Sequence, residues 1–178
     1  MDPTRDERFE VLFRENYLPV RRYALRRTSR EATNDVVADT FLVAWRRLDD
    51  VPSDALPWLI AVARRVLANQ RRSAVRGAAL EQRVATAEGH ERASDPAESV
   101  AEAELLRLAL ARLSDREREA LMLVAWDGLS GARAARAAGC TRSAFAVRLH
   151  RARARLASEL ASLDTVAPTA RTNSLEVS

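Results

Sequence analysis

The sequence predicts an all-α protein, two small helical domains joined by a flexible linker, and three observations predict it. Apolar residues recur at three- and four-residue spacing over most of the chain, while the strict alternation of a half-buried strand is sustained nowhere. Helix-start signals sit at the heads of these runs, and Ser114-Asp115-Arg116-Glu117 forms a complete capping box. Charge then divides the chain into blocks. Residues 1–75 carry fourteen arginines against eleven acids, residues 76–103 three against six, and residues 104–162 eleven against six. Two basic blocks therefore flank an acidic middle.

The first block, residues 1–75, should form one domain. From Arg5 the apolar set Phe9, Leu12 and Phe13 marks a first helix. Pro19 begins or kinks a second segment that carries Val20, Tyr23, Ala24 and Arg27, because proline removes one helical hydrogen bond. Over residues 31–48 the stripe Val37, Phe41, Ala44 and Leu48 marks another helix. From Ala55 to about Arg72 the stripe Leu56, Leu59, Ile60, Ala63, Val66 and Leu67 marks the next. These helices can share one small core. Residues 76–103, punctuated by Gly77, Gly89 and Ser94-Asp95-Pro96, read as an acidic linker.

The second block, residues 104–162, opens with an apolar helix through Leu105, Leu106, Leu108, Ala109 and Leu113. The capping box at Ser114 starts the next helix, and Asp127-Gly128 stops it. Ser130 can cap a short helix ending at Ala138. Gly139-Cys140 supplies a tight turn, and Thr141 can cap a long final helix. Two helices joined by a short glycine-containing turn, the second rich in arginine, form the helix-turn-helix pattern. Residues 163–178, with Pro168 and several Thr and Ser, read as a disordered tail.

Composition narrows the function. The chain has 178 residues, 47% of them hydrophobic and 30% charged, so it should fold. No uninterrupted apolar run approaches the roughly eighteen residues of a membrane span, and the polar, mixed-charge start is unlike a signal peptide. Cys140 is the one cysteine, which excludes an internal disulfide and makes the cytoplasm the expected location. His90 and His150 lie far apart, so no metal ligand set is visible and no cofactor is expected. No nucleophile–base pair or phosphate-binding glycine loop appears, which argues against an enzyme. All 29 basic residues are arginine, a composition that fits a GC-rich genome. Arginine also grips phosphate through two parallel hydrogen bonds.

Helical wheels pick out three candidate surfaces. On the last helix Phe145, Leu149, Ala152 and Leu156 share a sector that must face the core. The other side presents Arg142, Ser143, Val147 and His150 near the helix start, where a helix-turn-helix reaches base edges. Arg148, Arg151, Arg153 and Arg155 are placed for phosphates. The plainer alternative is a solvated basic face. On the helix at 31–48, Asp35, Asp39, Leu42 and Arg46 form an outward row, either a solvated face with one stray leucine or a docking surface. On the next helix Trp58 lies opposite the apolar stripe with Val62, Arg65, Asn69 and Arg72 as neighbours. It either packs against another helix or the 49–57 loop, or stacks on unpaired bases while arginines hold the backbone. Trp45, at the edge of its helix's stripe, reads as structural.

At these residues the chain resembles a known family. The stretch 34–45, from Asn34-Asp35 to Trp45, looks like conserved region 2.2 of the extracytoplasmic-function sigma factors of bacterial RNA polymerase. Residues 57–72, from Pro57-Trp58 to Arg71-Arg72, resemble regions 2.3 and 2.4. Residues 110–121 resemble region 4.1, and 127–130 with 148–156 resemble region 4.2. The match covers about two-thirds of the chain, in order. Family departures are Asn34-Asp35 for Glu-Asp, Ala38-Asp39 for Gln-Glu, alanines in the first helix of the helix-turn-helix, and Ala146 for a common lysine.

The resemblance implies a sigma factor from a GC-rich, actinobacterial source that directs promoter-specific initiation. It implies that Asp35, Asp39, Leu42 and Arg46 dock on the largest subunit of core RNA polymerase. It implies that Trp58, Arg65, Asn69 and Arg72, with the 49–57 loop, open and read the −10 element. The final helix would read the −35 duplex, with its domain on the flap of the second-largest subunit. An anti-sigma factor commonly restrains members of this family. The linker, about 28 residues, can extend to roughly 90 Å at ~3.3 Å per residue, enough for promoter elements two helical turns (~70 Å) apart. The rival reading is a stand-alone helix-turn-helix regulator.

Overall fold

The computed structural model describes residues 3–81 and 100–172. The chain divides into two units, Met1–Ala93 and Ser94–Ser178. The described residues are helical apart from short turns.

The first unit is a bundle of α1 (Arg5–Leu25), α2 (Arg30–Arg46) and α3 (Ala55–Glu81), with a short 3-10 turn, Leu48–Asp50, between α2 and α3. Thr4 starts α1 with a capping box: its hydroxyl accepts from the Glu7 N–H, and Glu7 accepts from the Thr4 N–H at 2.7 Å. Pro19 does not begin a separate segment; α1 continues through it to Leu25. The proline forfeits one bond to the preceding turn, but Val20, Tyr23 and Ala24 just beyond it are wholly buried, and their burial outweighs that loss. Ser29 caps α2 through the Ala32 N–H. Two hydroxyls on α2's inner face fold back on their own helix: Thr33 and Thr40 donate to the carbonyls of Ser29 and Val36 at 2.8 and 2.7 Å. The face can therefore be buried without unpaired polar groups.

An aromatic cluster joins α1 to α2. Phe13 and Phe41 ring centroids lie 4.7 Å apart, and Phe9 meets Trp45 edge-on at 5.1 Å. Trp45 is structural, as its wheel position suggested, with the Arg5 guanidinium 5.2 Å from its ring centre. Asp49 draws the start of α1 toward the same corner by pairing with Arg8 at 3.0 Å and Arg5 at 3.8 Å.

The second unit comprises α4 (Val100–Ala111), α5 (Asp115–Ala125), α6 (Gly131–Ala138) and α7 (Arg142–Thr172). Ser114 completes the expected capping box with Glu117, a contribution of about 1 kcal/mol. The hydroxyl of Ser114, then its N–H, hold the Glu117 carboxyl below its ordinary range, and Arg155 and Arg151 add to this. Arg118 closes the end of α4, donating to the carbonyls of Leu110, Ala111 and Leu113 around the turn that follows it. Leu129, almost fully buried, pins the turn after α5, where Gly128 takes a positive φ of 65°.

Several boundaries differ from the sequence reading. Helix α3 continues to Glu81 and α4 begins at Val100, so both reach into the stretch read as linker. Residues 73–80 include alanines, Val75 and Leu80, and a single glycine does not stop them. Helix α7 runs to Thr172, into the segment expected to be disordered. Residues 82–99 and 173–178, the rest of that linker and tail, lie outside the described residues. Ser130 stands at the head of α6 but its side chain makes no capping bond.

Candidate nucleic-acid and polymerase interfaces

Helix α6 is short and its inner face is alanine: Ala134, Ala135, Ala137 and Ala138 are all buried. Alanines propagate the helix but fill little volume. Helix α7 packs against α6, and its Phe145, 1% exposed, has the volume to fill that space. The turn between the two helices depends on Gly139, whose φ of 67° is left-handed. The Gly139 N–H reaches the Arg136 carbonyl at 3.1 Å, and the Cys140 N–H reaches that of Ala135 at 3.0 Å. Thr141 then caps α7, its hydroxyl accepting from the Ala144 N–H at 3.2 Å. The helix-turn-helix is thus fixed by one glycine, one cap and one aromatic plug.

With Phe145 and Ala152 turned inward, α7 exposes Arg142, Ser143, Val147, His150, Arg151, Arg153 and Arg155; Arg148 is half-buried. Val147 is half exposed, large and apolar, on a face otherwise of charge and hydroxyl. Arg155 also lies 3.7 Å from Glu117 of α5, and Arg112 of α4 pairs with Glu159 of α7 at 3.0 Å. Arg155 therefore helps to seat the helix as well as adding charge. A shallow concavity of about 600 Å³ opens where the start of α5 meets the first turns of α7. Val147, Arg148 and Arg151 line it, and so does Arg116 of α5. Arg116 was not singled out from sequence: a wheel drawn on α7 cannot show what another helix brings beside it.

In the first unit, Asp35, Asp39, Leu42 and Arg46 are all exposed along one row of α2, with Leu42 45% exposed. Behind them Val36, Val37, Phe41 and Ala44 are buried. On α3, Arg65, Asn69 and Arg72 are exposed, and Arg72 donates to the Asn69 side chain. Trp58 is half-buried. Val62, expected beside it on the polar face, is 7% exposed and belongs to the core, so the apolar sector of α3 is wider than its stripe implied. Trp58 stands at the edge of that sector and is partly exposed. Among the described residues no group of His, Cys, Asp or Glu converges as a metal site, and no helix is long and apolar enough to cross a membrane.

Comparison with known proteins places the chain in a family. Residues 12–77 match the family model "Sigma-70 region 2", and residues 103–156 match "Sigma-70, region 4". The RNA polymerase sigma factor NccH of Alcaligenes xylosoxydans xylosoxydans is 37% identical over 141 residues, covering 72% of this chain and 73% of that one. The probable RNA polymerase sigma factor RfaY of Xanthomonas campestris pv. campestris is 32% identical over 138 residues, which span 34% of that longer protein. Among solved structures, the sigma factor RpoE from Bartonella quintana, in complex with the anti-sigma factor NepR, superposes with a TM-score of 0.67 at 26% identity. That match covers 85% of this chain and 96% of that one. CnrH, in complex with the cytosolic domain of CnrY, gives 0.60 at 26% identity, covering 86% and 88%. With both regions matched in order on an all-helical fold, the chain belongs to the sigma-70 family, as an RNA polymerase sigma factor of the extracytoplasmic-function type that directs promoter-specific initiation.

Proposed function

We propose that the α2 row of Asp35, Asp39, Leu42 and Arg46 docks on the largest subunit of core RNA polymerase. Trp58, Arg65, Asn69 and Arg72 then receive the −10 element as a separated strand. The first turns of α7 enter the major groove of the −35 duplex, with Arg142, Ser143, Val147 and His150 toward base edges. Arg148, Arg151, Arg153 and Arg155 meet phosphates, and the same unit rests on the flap of the second-largest subunit. The protein acts in the cytoplasm as a DNA-binding initiation factor, not an enzyme, and an anti-sigma factor restrains it. Two relatives of known structure were each solved with such a partner or a cytosolic partner domain. A lysine-free chain with 29 basic residues fits a GC-rich, actinobacterial source.

The observation that carries the DNA reading is the split of α7 into a buried Phe145–Ala152 side and an exposed side of arginine, serine, valine and histidine. Base contacts specify and phosphate contacts position, so the two sets of side chains should fail differently. In promoter-binding assays with reconstituted holoenzyme, Arg142→Ala should change the preference among −35 variants by about 1–3 kcal/mol at one base pair. Arg153→Ala should weaken all variants alike and lower the slope of log K against log salt by about 0.9. Identical effects from both changes would overturn the division of roles.

A further inference from the structure

The corner where α2 ends and α3 begins holds more charge than its helices require. Asp49 is taken by Arg5 and Arg8. Arg47 pairs with Asp50, its Nε donating at 2.9 Å. Asp49 and Asp50 thus meet three arginines between them. Arg47 is the residue left on top, with its guanidinium carbon 6.0 Å from the centre of the Trp58 ring. That is the outer limit of a cation–π contact. Its side chain is 53% exposed and that of Asp50 is 59% exposed. An ion pair so open to water holds its partners weakly, so Arg47 can exchange Asp50 for another anion at little cost. Its role in ending α2 is carried by the backbone, whose N–H bonds the Val43 carbonyl at 3.0 Å. The side chain is therefore free of a structural duty in the helix.

We propose that Arg47 is a further DNA-positioning residue: it grips the phosphate of the nucleotide whose unpaired base lies on the exposed part of Trp58. An aromatic face for the base and an arginine fork beside it for the phosphate are the two elements of a single-strand platform. Asp50 holds the fork in place before DNA arrives and releases it to the phosphate. This rests on the reading of Trp58 as a −10 contact.

The test uses holoenzyme reconstituted from core polymerase with full-length wild-type, Arg47→Ala, Arg47→Lys or Trp58→Ala protein. The probe is a fluorescent single-stranded DNA of mixed sequence, measured above the binding of core alone between 50 and 200 mM salt. Arg47→Ala should weaken binding and reduce the salt slope by about 0.7, so its deficit shrinks roughly threefold across that range. Arg47→Lys, which keeps the charge but not the fork, should restore the slope. Trp58→Ala should weaken binding about 5- to 150-fold with the slope unchanged. If Trp58→Ala weakens binding while Arg47→Ala leaves affinity or slope as in wild type, the assignment of Arg47 is wrong and the −10 reading stands. If neither change affects binding, both are wrong.

Discussion

Replacing Phe145 with alanine is expected to destabilise the second unit by about 3–5 kcal/mol, the usual result of deleting a buried phenylalanine. For a unit of this size that corresponds to a fall in melting temperature of about 15 °C or more. The expected effect is large because the neighbouring face of α6 is all alanine. Small side chains have no rotamers with which to close the gap, so the cavity persists. Phe145→Leu, which keeps most of the volume, should cost about 1 kcal/mol. Thermal unfolding of the full chain followed by circular dichroism measures both. An unchanged melting temperature for Phe145→Ala would show that the ring does not plug the helix-turn-helix. The consequence for function is direct: α7 can present Arg142, Ser143 and Val147 only while Phe145 fixes its rotation.

The second large effect concerns docking. Leu42 is the one large apolar side chain in the exposed α2 row, flanked by Asp39 and Arg46. If this face is covered by polymerase, an aspartate at position 42 would be buried as a charge where an apolar side chain stood, which is costly. Leu42→Asp should weaken binding of core polymerase by at least 2 kcal/mol, about thirtyfold, measured by fluorescence titration. Because Leu42 is already exposed, the change should leave stability within about 0.5 kcal/mol. Wild-type affinity for the variant would move the docking surface off this face of α2.

How much was legible in the sequence depended on how local each cause is. The capping box at Ser114, the stop at Gly128, the glycine turn at Gly139 and the Thr141 cap are each decided by a few consecutive residues. They stand in the structure where the sequence placed them. The rotation of α7 followed from its apolar spacing, so its exposed candidates could be named one by one. At Pro19 the local penalty does not end the helix, because the burial of Val20, Tyr23 and Ala24 on the other side of it is not visible in the neighbouring residues. Val62 was misplaced for a similar reason: a wheel shows the middle of a buried sector well and its margins poorly, and the packing of α1 and α2 against α3 sets the margin. Long-range pairs were invisible. Nothing in the spacing of Arg5, Arg8 and Asp49, or of Arg112 and Glu159, foretells their meeting, since folding alone brings them together. Arg116 and Arg47 entered the candidate surfaces by that route.

Both units are expected to act on one promoter while the protein is bound to polymerase. Transcription by purified core polymerase on a library of genomic fragments, with 5′ ends of the transcripts sequenced, tests it most directly. Adding the protein should enrich a small set of start sites that share one pair of upstream motifs, and Leu42→Asp protein should not. Start sites indistinguishable from those of core polymerase alone would contradict the account.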